Sequence, residues 1–391
     1  MPELSSRGHA IRLGYSMNVH PCETADELDA ALRDGPGEIR RRLFAGRKTG
    51  AGLRLSAQAA DLLAGDPYRL AKTKALLESL DLFAFTANVF PFGKFNAGRV
   101  KEDVYRPSWA DPRRAAYTLA AAHVMAALGG GQSLTLSTVA GGYKADGDDK
   151  PARDNMARNL AQVAAGLHTL KNETGVSIRV CLEPEPLTTC ETAADAIEFF
   201  RRHIYPGGER ALHGTDKYNR EQATDILHEH LGLCFDACHH AVMWEDPAEA
   251  IDRIDRSGIV IGKMQVTCAL EGPPGELARF DEPRYFHQVC AEGGRRAADL
   301  GEAKGWPDGA ARAHFHVPVF LEQIGGLKTT QGFLKAAMEE VLKRGLCSDF
   351  EIETYTWDVI PAAEREKTCG KSLVESLMKE YDWVMKVLEA R

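Results

Sequence analysis

Two segments end apolar, β-rich runs in pairs of carboxylates: Leu182-Glu183-Pro184-Glu185-Pro186 and Phe350-Glu351-Ile352-Glu353-Thr354-Tyr355-Thr356-Trp357. A third, Leu233-Cys234-Phe235-Asp236-Ala237-Cys238-His239-His240, ends in an acid and histidines. An unpaired charge is costly to bury, so acids delivered at strand ends point to a bound cation, a proton-transfer role, or both. Three runs of one type point to one shared site. An oxygen-rich set with one or two imidazoles suits a divalent metal (Mn, Co, Mg, Fe or Zn) and needs no thiolate.

Other apolar runs end in residues that could join this set: Asn18 and His20, Asn88, Thr138, Gln265, and His314 and His316. Side chains two apart on a strand point the same way. Glu183 and Glu185 therefore share a face, as do Glu351 and Glu353, and alternation does not choose within either pair. Asn18 and His20 read equally well as turn residues beside Pro21, and Gln265 as a satisfied core amide. Asp236 with His239 has the helix-cap pair as its alternative reading, since acids often cap the helix after a strand. Glu102, Tyr105, Arg106 and Trp109 form a polar-aromatic loop suited to cover the site or to pack on the surface.

The elements that must position these residues alternate along the chain of 391 residues. Strand-like runs appear at Ile11–Tyr15, Gly52–Ser56, Leu82–Phe90, Ser133–Ala140, Ile178–Glu183, Leu231–Asp236, Ile259–Thr267, Ala313–Phe320 and Asp349–Trp357. Amphipathic helices lie between them. Asp246-Pro247-Ala248-Glu249 and Asp111-Pro112 place an N-cap acid before a first-turn proline. A long helix over Lys150–Leu170 is expected to turn Asn159, Gln162 and His168 to solvent. Alternating strands and helices imply parallel pairing with right-handed crossovers. The expected architecture is α/β, a single (βα)8 TIM barrel over 1–391, with its site at the C-terminal ends of the strands. Nine runs are one too many for eight strands, so Ala313–Phe320 is expected to be an excursion that re-enters the site. Loop insertions are expected after strands 5 (205–221) and 7 (269–306).

Composition narrows the class of function. A formal net charge of −8 argues against a nucleic-acid partner, and Arg40-Arg41-Arg42 reads as a solvated helix face. Nine cysteines, an odd number scattered through apolar runs, read as reduced thiols in a cytoplasmic protein. No apolar run reaches the length of about 18 residues that a membrane span requires, and the N-terminus lacks a signal-like core. A small-molecule substrate is the expected partner, and a homo-oligomer is compatible with the sequence.

The order of strand-end residues resembles that of the xylose-isomerase-like barrel superfamily of sugar isomerases and epimerases. There a glutamate ends strand five, an aspartate ends strand six with a histidine three residues on, and a glutamate ends strand eight. Glu183 in LEPEP, Asp236 and His239 in DACH, and Glu353 in EIETY match. The family's strand-seven ligand is commonly histidine; here Lys263-Met264-Gln265-Val266 offers Gln265, which leaves the fourth ligand open between Gln265 and His316. Along nearly the whole chain, LGYSMNVHPCET, FTANVFPFG, VKEDVYRPSW, LEPEP, CFDACHHAVMWEDP, FHVPVFLE and EIETYTW resemble the EboE group, barrel proteins of a bacterial metabolite-traffic gene cluster.

The resemblance implies isomerisation or epimerisation of a small polyhydroxy carbonyl compound. Metal ligands would be Glu183, Asp236, Glu353 and either Gln265 or His316. Glu183 and Glu353 would move a proton through an enediolate, with His239 at a substrate hydroxyl or orienting Asp236. His20, Asn88, Glu185 and His314 would contact the substrate. The rival readings are a non-catalytic metabolite-traffic protein with a degenerate metal site, a glycoside hydrolase using Glu183 and Glu353, and a zinc-dependent nuclease, which the net charge opposes.

Overall fold

The computed structural model describes residues 4–389 apart from 7, 97, 358 and 359. The ends of the expected 1–391 domain therefore lie outside the described residues. Eight parallel strands form the barrel: β1 (His9–Tyr15), β2 (Thr49–Arg54), β3 (Leu82–Asn88), β4 (Ser133–Val139), β5 (Ser177–Glu183), β6 (Leu231–Asp236), β7 (Ile261–Val266) and β8 (Asp349–Ile352). They pair in sequence order from β2 to β8, and β8 pairs with β1. A single parallel bridge between Ser16 and Gly52 draws β1 to β2 and nearly closes the ring. The expected (βα)8 barrel is the fold.

β2 begins three residues earlier than its apolar pattern suggested, because glycines mask it. A Cβ on Gly50 would sit 2.6 Å from the Leu13 carbonyl and 2.8 Å from the Phe85 ring, and one on Gly52 would collide with the Glu351 carboxylate. The barrel interior is already full at these positions, so the glycines make room for neighbours despite their weak strand preference.

Helix starts follow the expected chemistry. Asp111 caps Pro112–Leu128, Asp149 caps Lys150–Thr174, and Asp246 accepts from the Glu249 amide at the head of Pro247–Ser257. Asn159 departs from expectation: it is buried and donates to the Trp109 carbonyl at 2.8 Å, while Gln162 is exposed and His168 half-buried. The amide faces a loop that follows β3, which the helix pattern could not anticipate. Arg114, fully buried, donates to the carbonyls of Val89, Phe90 and Pro107 and so fastens both ends of that loop.

After β7 the chain builds a second, six-stranded antiparallel sheet, whose strands fall largely within 269–306, in the expected excursion Ala313–Phe320 and just beyond it. Its core pairs Cys268–Gly272 with Ala311–Val317, and the register slips between Ala313 and Val317. His314 and His316 stand in that slip, and the strand carries them to the mouth of the barrel. Part of the expected 205–221 insertion is the helix Tyr205–His213. Among the described residues no helix is long and apolar enough to cross a membrane.

The C-terminal helix, Leu373–Glu389, ties these parts together through Glu380. Its buried Oε1 accepts from Thr354 Oγ1 at 2.6 Å and from the Val319 amide at 3.2 Å, and burial pushes the carboxyl up to about 8. The folded state thus keeps a proton that the unfolded chain loses near 4.5, so this group's contribution to stability falls as pH rises from about 5 to 8. Glu380→Gln keeps the accepting oxygen without the charge. It is expected to stabilise the protein by roughly 2–4 kcal/mol at pH 9 and to change little at pH 5. Thermal melts at the two pH values check this; equal shifts at both would contradict it.

Candidate metal centre

Strand alternation stacks three carboxylates up one face of β8 and its extension: Asp349, Glu351 and Glu353. The lowest, Asp349, is held by Arg12 through two hydrogen bonds of 2.6 and 2.8 Å. Glu351 lies 2.6 Å from the Lys263 ammonium, and neither side chain is exposed; Lys263 also donates to Ser137 Oγ at 3.2 Å. At Glu353 the supply of cations stops. Its Oε1 accepts from Asn18 Nδ2 at 2.7 Å, with Ser16 Oγ at 3.3 Å and Asn88 Nδ2 at 3.5 Å.

Glu353 meets more acid instead. Glu183 ends β5 and Asp236 ends β6, and one oxygen from each of these three carboxylates lies within 4.8 Å of the other two. All three side chains are buried, and among the described residues no Lys or Arg forms an ion pair with any of them. Burial pushes Glu183 up to about 8, against the pull of Lys263. Asp236 and Glu353 are likewise raised, by burial first and then by Glu183.

Glu183 Oε2 and Asp236 Oδ2 are buried without a hydrogen-bond partner. So are both amide heavy atoms of Gln265 on β7, which faces Asp236 in register. Buried polar atoms nearly always find a partner, and orphaned oxygens arriving from adjacent strands among uncompensated acids fit a divalent cation. Asp236 is also a helix cap, its Oδ1 accepting from the His239 amide at 2.9 Å. Capping and ligation use different oxygens, so the two readings of this residue do not compete.

Three histidines border the acids. His239 Nδ1 lies 3.0 Å from the Pro184 carbonyl. His314 Nδ1 lies 2.6 Å from Gln288 Oε1, and His316 Nδ1 lies 3.0 Å from Thr267 Oγ1. Burial lowers all three from the ordinary histidine range, His316 to about 3, so each ring is neutral at pH 7. Glu185 stands one step outward, accepting from Tyr105 Oη at 2.7 Å and Gln288 Nε2 at 3.2 Å; burial pushes it up to about 7 despite those bonds.

A cavity opens above these groups, walled by Phe90, Phe95, Tyr105, Tyr285, Phe286 and Tyr355. It spans about 490 Å³ with its mouth, and the part that admits the centre of a water-sized sphere is about 50 Å³. Glu183, Glu185, Glu353, Asn88, His239, His314 and His316 all line it, while Asp236 and Gln265 are buried outside its lining.

His20 is the exception among the sequence candidates. It turns back beneath the barrel rim, its Nε2 2.8 Å from Tyr15 Oη, and does not line the cavity. Asn18, two residues earlier, makes the contact with Glu353 instead. Gln288 and Thr267, which orient His314 and His316, carried no sequence signal: one lies in the aperiodic inserted segment and the other looks like an ordinary strand threonine.

No family model matches this sequence, and no curated protein matches it. Among solved structures, a xylose isomerase-like TIM barrel protein from Mycobacterium smegmatis in complex with magnesium aligns with a TM-score of 0.53 at 13% identity, covering 98% of both chains. 3-Keto-D-glucoside 4-epimerase from E. coli aligns at 0.47 with 12% identity, over 96% of this chain and 99% of that one. D-Psicose 3-epimerase, solved in the presence of D-fructose, aligns at 0.48 with 10% identity, over 97% of this chain and all of that one (100%). The fold is therefore a (βα)8 barrel like that of the xylose isomerase-like mycobacterial protein.

Proposed function

We propose that the protein is a divalent-metal-dependent isomerase or epimerase acting on a small polyhydroxy carbonyl compound. The observation that carries this reading is the buried trio Glu183, Asp236 and Glu353, which has no Lys or Arg partner among the described residues and leaves two oxygens unsatisfied. A glycoside hydrolase needs two carboxylates and no cation; the third acid and the orphaned oxygens favour the metal. The magnesium complex of the structurally similar mycobacterial protein supports it.

In this reading Glu183, Asp236 and Glu353 hold the ion, with Gln265 or His316 as fourth donor. When bound, the cation polarises the substrate carbonyl as a Lewis acid. Glu183 and Glu353 would then act as base and acid, one taking the proton beside the carbonyl and the other, itself protonated, delivering its own proton to the opposite face. Asn18 and Ser16 steady the Glu353 oxygen during that exchange. His239, His314 and Glu185 face the hydroxyl groups, and the aromatic wall excludes water. The resemblance to the EboE group supports a substrate drawn from the metabolism that this group serves, and the nine buried, unpaired cysteines support a cytoplasmic setting.

Solvent deuterium tests the reaction. The Mn²⁺-loaded protein, incubated in D2O with a panel of ketoses, aldoses and ketoglycosides, is expected to place deuterium beside the carbonyl of at least one sugar. Glu353→Gln should slow that exchange by roughly 10²–10⁴-fold. Exchange in none of them, with the ion bound, would instead favour a metabolite-binding protein, the reading that Gln265 in place of a histidine supports.

A further inference from the structure

We propose that the protein carries a structural transition-metal site at the N-terminal end of the barrel, formed by His168, Glu229 and His230. It lies at the opposite end of the strands from the carboxylate trio and does not rest on that reading.

His168 stands near the end of the helix Lys150–Thr174, which leads into β5; Glu229 and His230 close the helix Arg220–His230, which leads into β6. One donor atom from each of the three lies within 4.8 Å of the other two. The His230 side chain is fully buried, and its Nδ1 lies 2.7 Å from the Ile178 carbonyl on β5. That carbonyl can only accept, so Nδ1 carries the hydrogen of the neutral ring and Nε2 is a bare lone pair. Nε2 is buried without a hydrogen-bond partner, and so is Nδ1 of His168. Buried polar atoms nearly always find a partner, and here two imidazole nitrogens beside a carboxylate have none.

The two oxygens of Glu229 divide the work. Oε1 accepts from Lys171 and from Ser177 Oγ at 3.2 Å, which fixes the carboxylate against the start of β5. Oε2 faces His230 Nε2 at 3.7 Å. That is too long for a hydrogen bond and close to the roughly 3.4 Å that separates two donors on a tetrahedral Zn²⁺. Handing the far N–H of His230 to a backbone carbonyl is the outer contact that metal-bound histidines make. Lys171 offsets the one acidic charge, so the set amounts to two neutral imidazoles and an oxygen. Such a set selects Zn²⁺, Co²⁺, Ni²⁺ or Cu²⁺ and gives Mg²⁺ and Ca²⁺ little hold. Glu229 is 32% exposed and His168 half-buried, which leaves the ion a path from solvent. Bound there, it would cross-link the two helices where β5 and β6 begin, the strands that carry Glu183 and Asp236 at their other ends. The N-terminal face of a barrel serves stability and the C-terminal face chemistry, so this ion is a staple and takes no part in the reaction.

The test uses chelator-stripped, full-length protein loaded with Co²⁺ and counted by elemental analysis after desalting. His168→Ala is expected to lower the Co²⁺ content by one ion per chain, and Glu229→Ala, a second half-exposed helix position, to do the same. The Glu183→Ala, Asp236→Ala double variant should keep one Co²⁺, lost when His168→Ala is added. Excess Zn²⁺ should raise the melting temperature of that double variant by about 2–4 °C, and Mg²⁺ should not. Equal Co²⁺ content in the wild type, His168→Ala and Glu229→Ala would overturn the site. Co²⁺ kept in His168→Ala and lost from the double variant would overturn it and leave the carboxylate reading intact. A single Co²⁺ in the wild type, kept in the double variant and lost in His168→Ala, would uphold this site and overturn the carboxylate one.

Discussion

Replacing Lys263 by methionine is expected to cost about 3–5 kcal/mol of stability. Lys263 and Glu351 are both fully buried inside the barrel, 2.6 Å apart. Burial alone would lower the lysine, yet Glu351 raises it above its ordinary range. Removing the ammonium strands a carboxylate that already has one oxygen, Oε1, without a hydrogen-bond partner. It also takes away the nearest positive charge that acts on Glu183 and Glu353. The double variant Lys263→Met, Glu351→Leu should recover most of the loss, because an apolar pair of similar volume needs no desolvated charge. Urea unfolding of the two singles and the double gives the coupling. A single-variant cost below about 1 kcal/mol would mean that water reaches the pair, and would remove the dry interior on which the cation argument rests.

Asp236→Asn should reverse sign with metal. Without an ion, the three acids repel one another, and the variant relieves that repulsion, so the chelated variant should melt above the chelated wild type. With Mn²⁺ at about 100 times its dissociation constant, the wild type gains roughly 2.7 kcal/mol. The variant, lacking a charged ligand, should bind at least about 100-fold more weakly and gain little. The crossing of the two melting orders is the signature. Parallel shifts in both proteins would show that Asp236 acts only as the cap of the helix Ala237–Val242.

Much of this was legible because a barrel converts sequence position into spatial position. Glu183, Asp236 and Glu353 each stand at a strand's C-terminal end, and parallel closure brings such ends together. The choice between Glu183 and Glu185 was not legible: both face the same way, and only the height of the strand end decides that Glu183 joins the trio while Glu185 rises to meet Tyr105 and Gln288. His20 was misplaced because a turn next to a proline leaves its direction undetermined, and the Tyr15 hydroxyl captures it. The start of Thr49–Arg54 was missed because Gly50 reads as a breaker, although the bare backbone at Gly50 and Gly52 is what lets Phe85 and Glu351 fill the barrel. The histidine cluster depends on a register slip in an inserted strand, which no periodicity announces.

The central claim is that Glu183, Asp236 and Glu353 bind a divalent cation, and elemental mass spectrometry of the purified protein tests it most directly. At least one Mn, Co, Fe or Zn per chain is expected in the wild type after soaking with excess metal and desalting, and none in the carboxylate site of a folded Glu183→Ala, Asp236→Ala double variant. No metal in either protein would contradict the claim, and so would equal content in both.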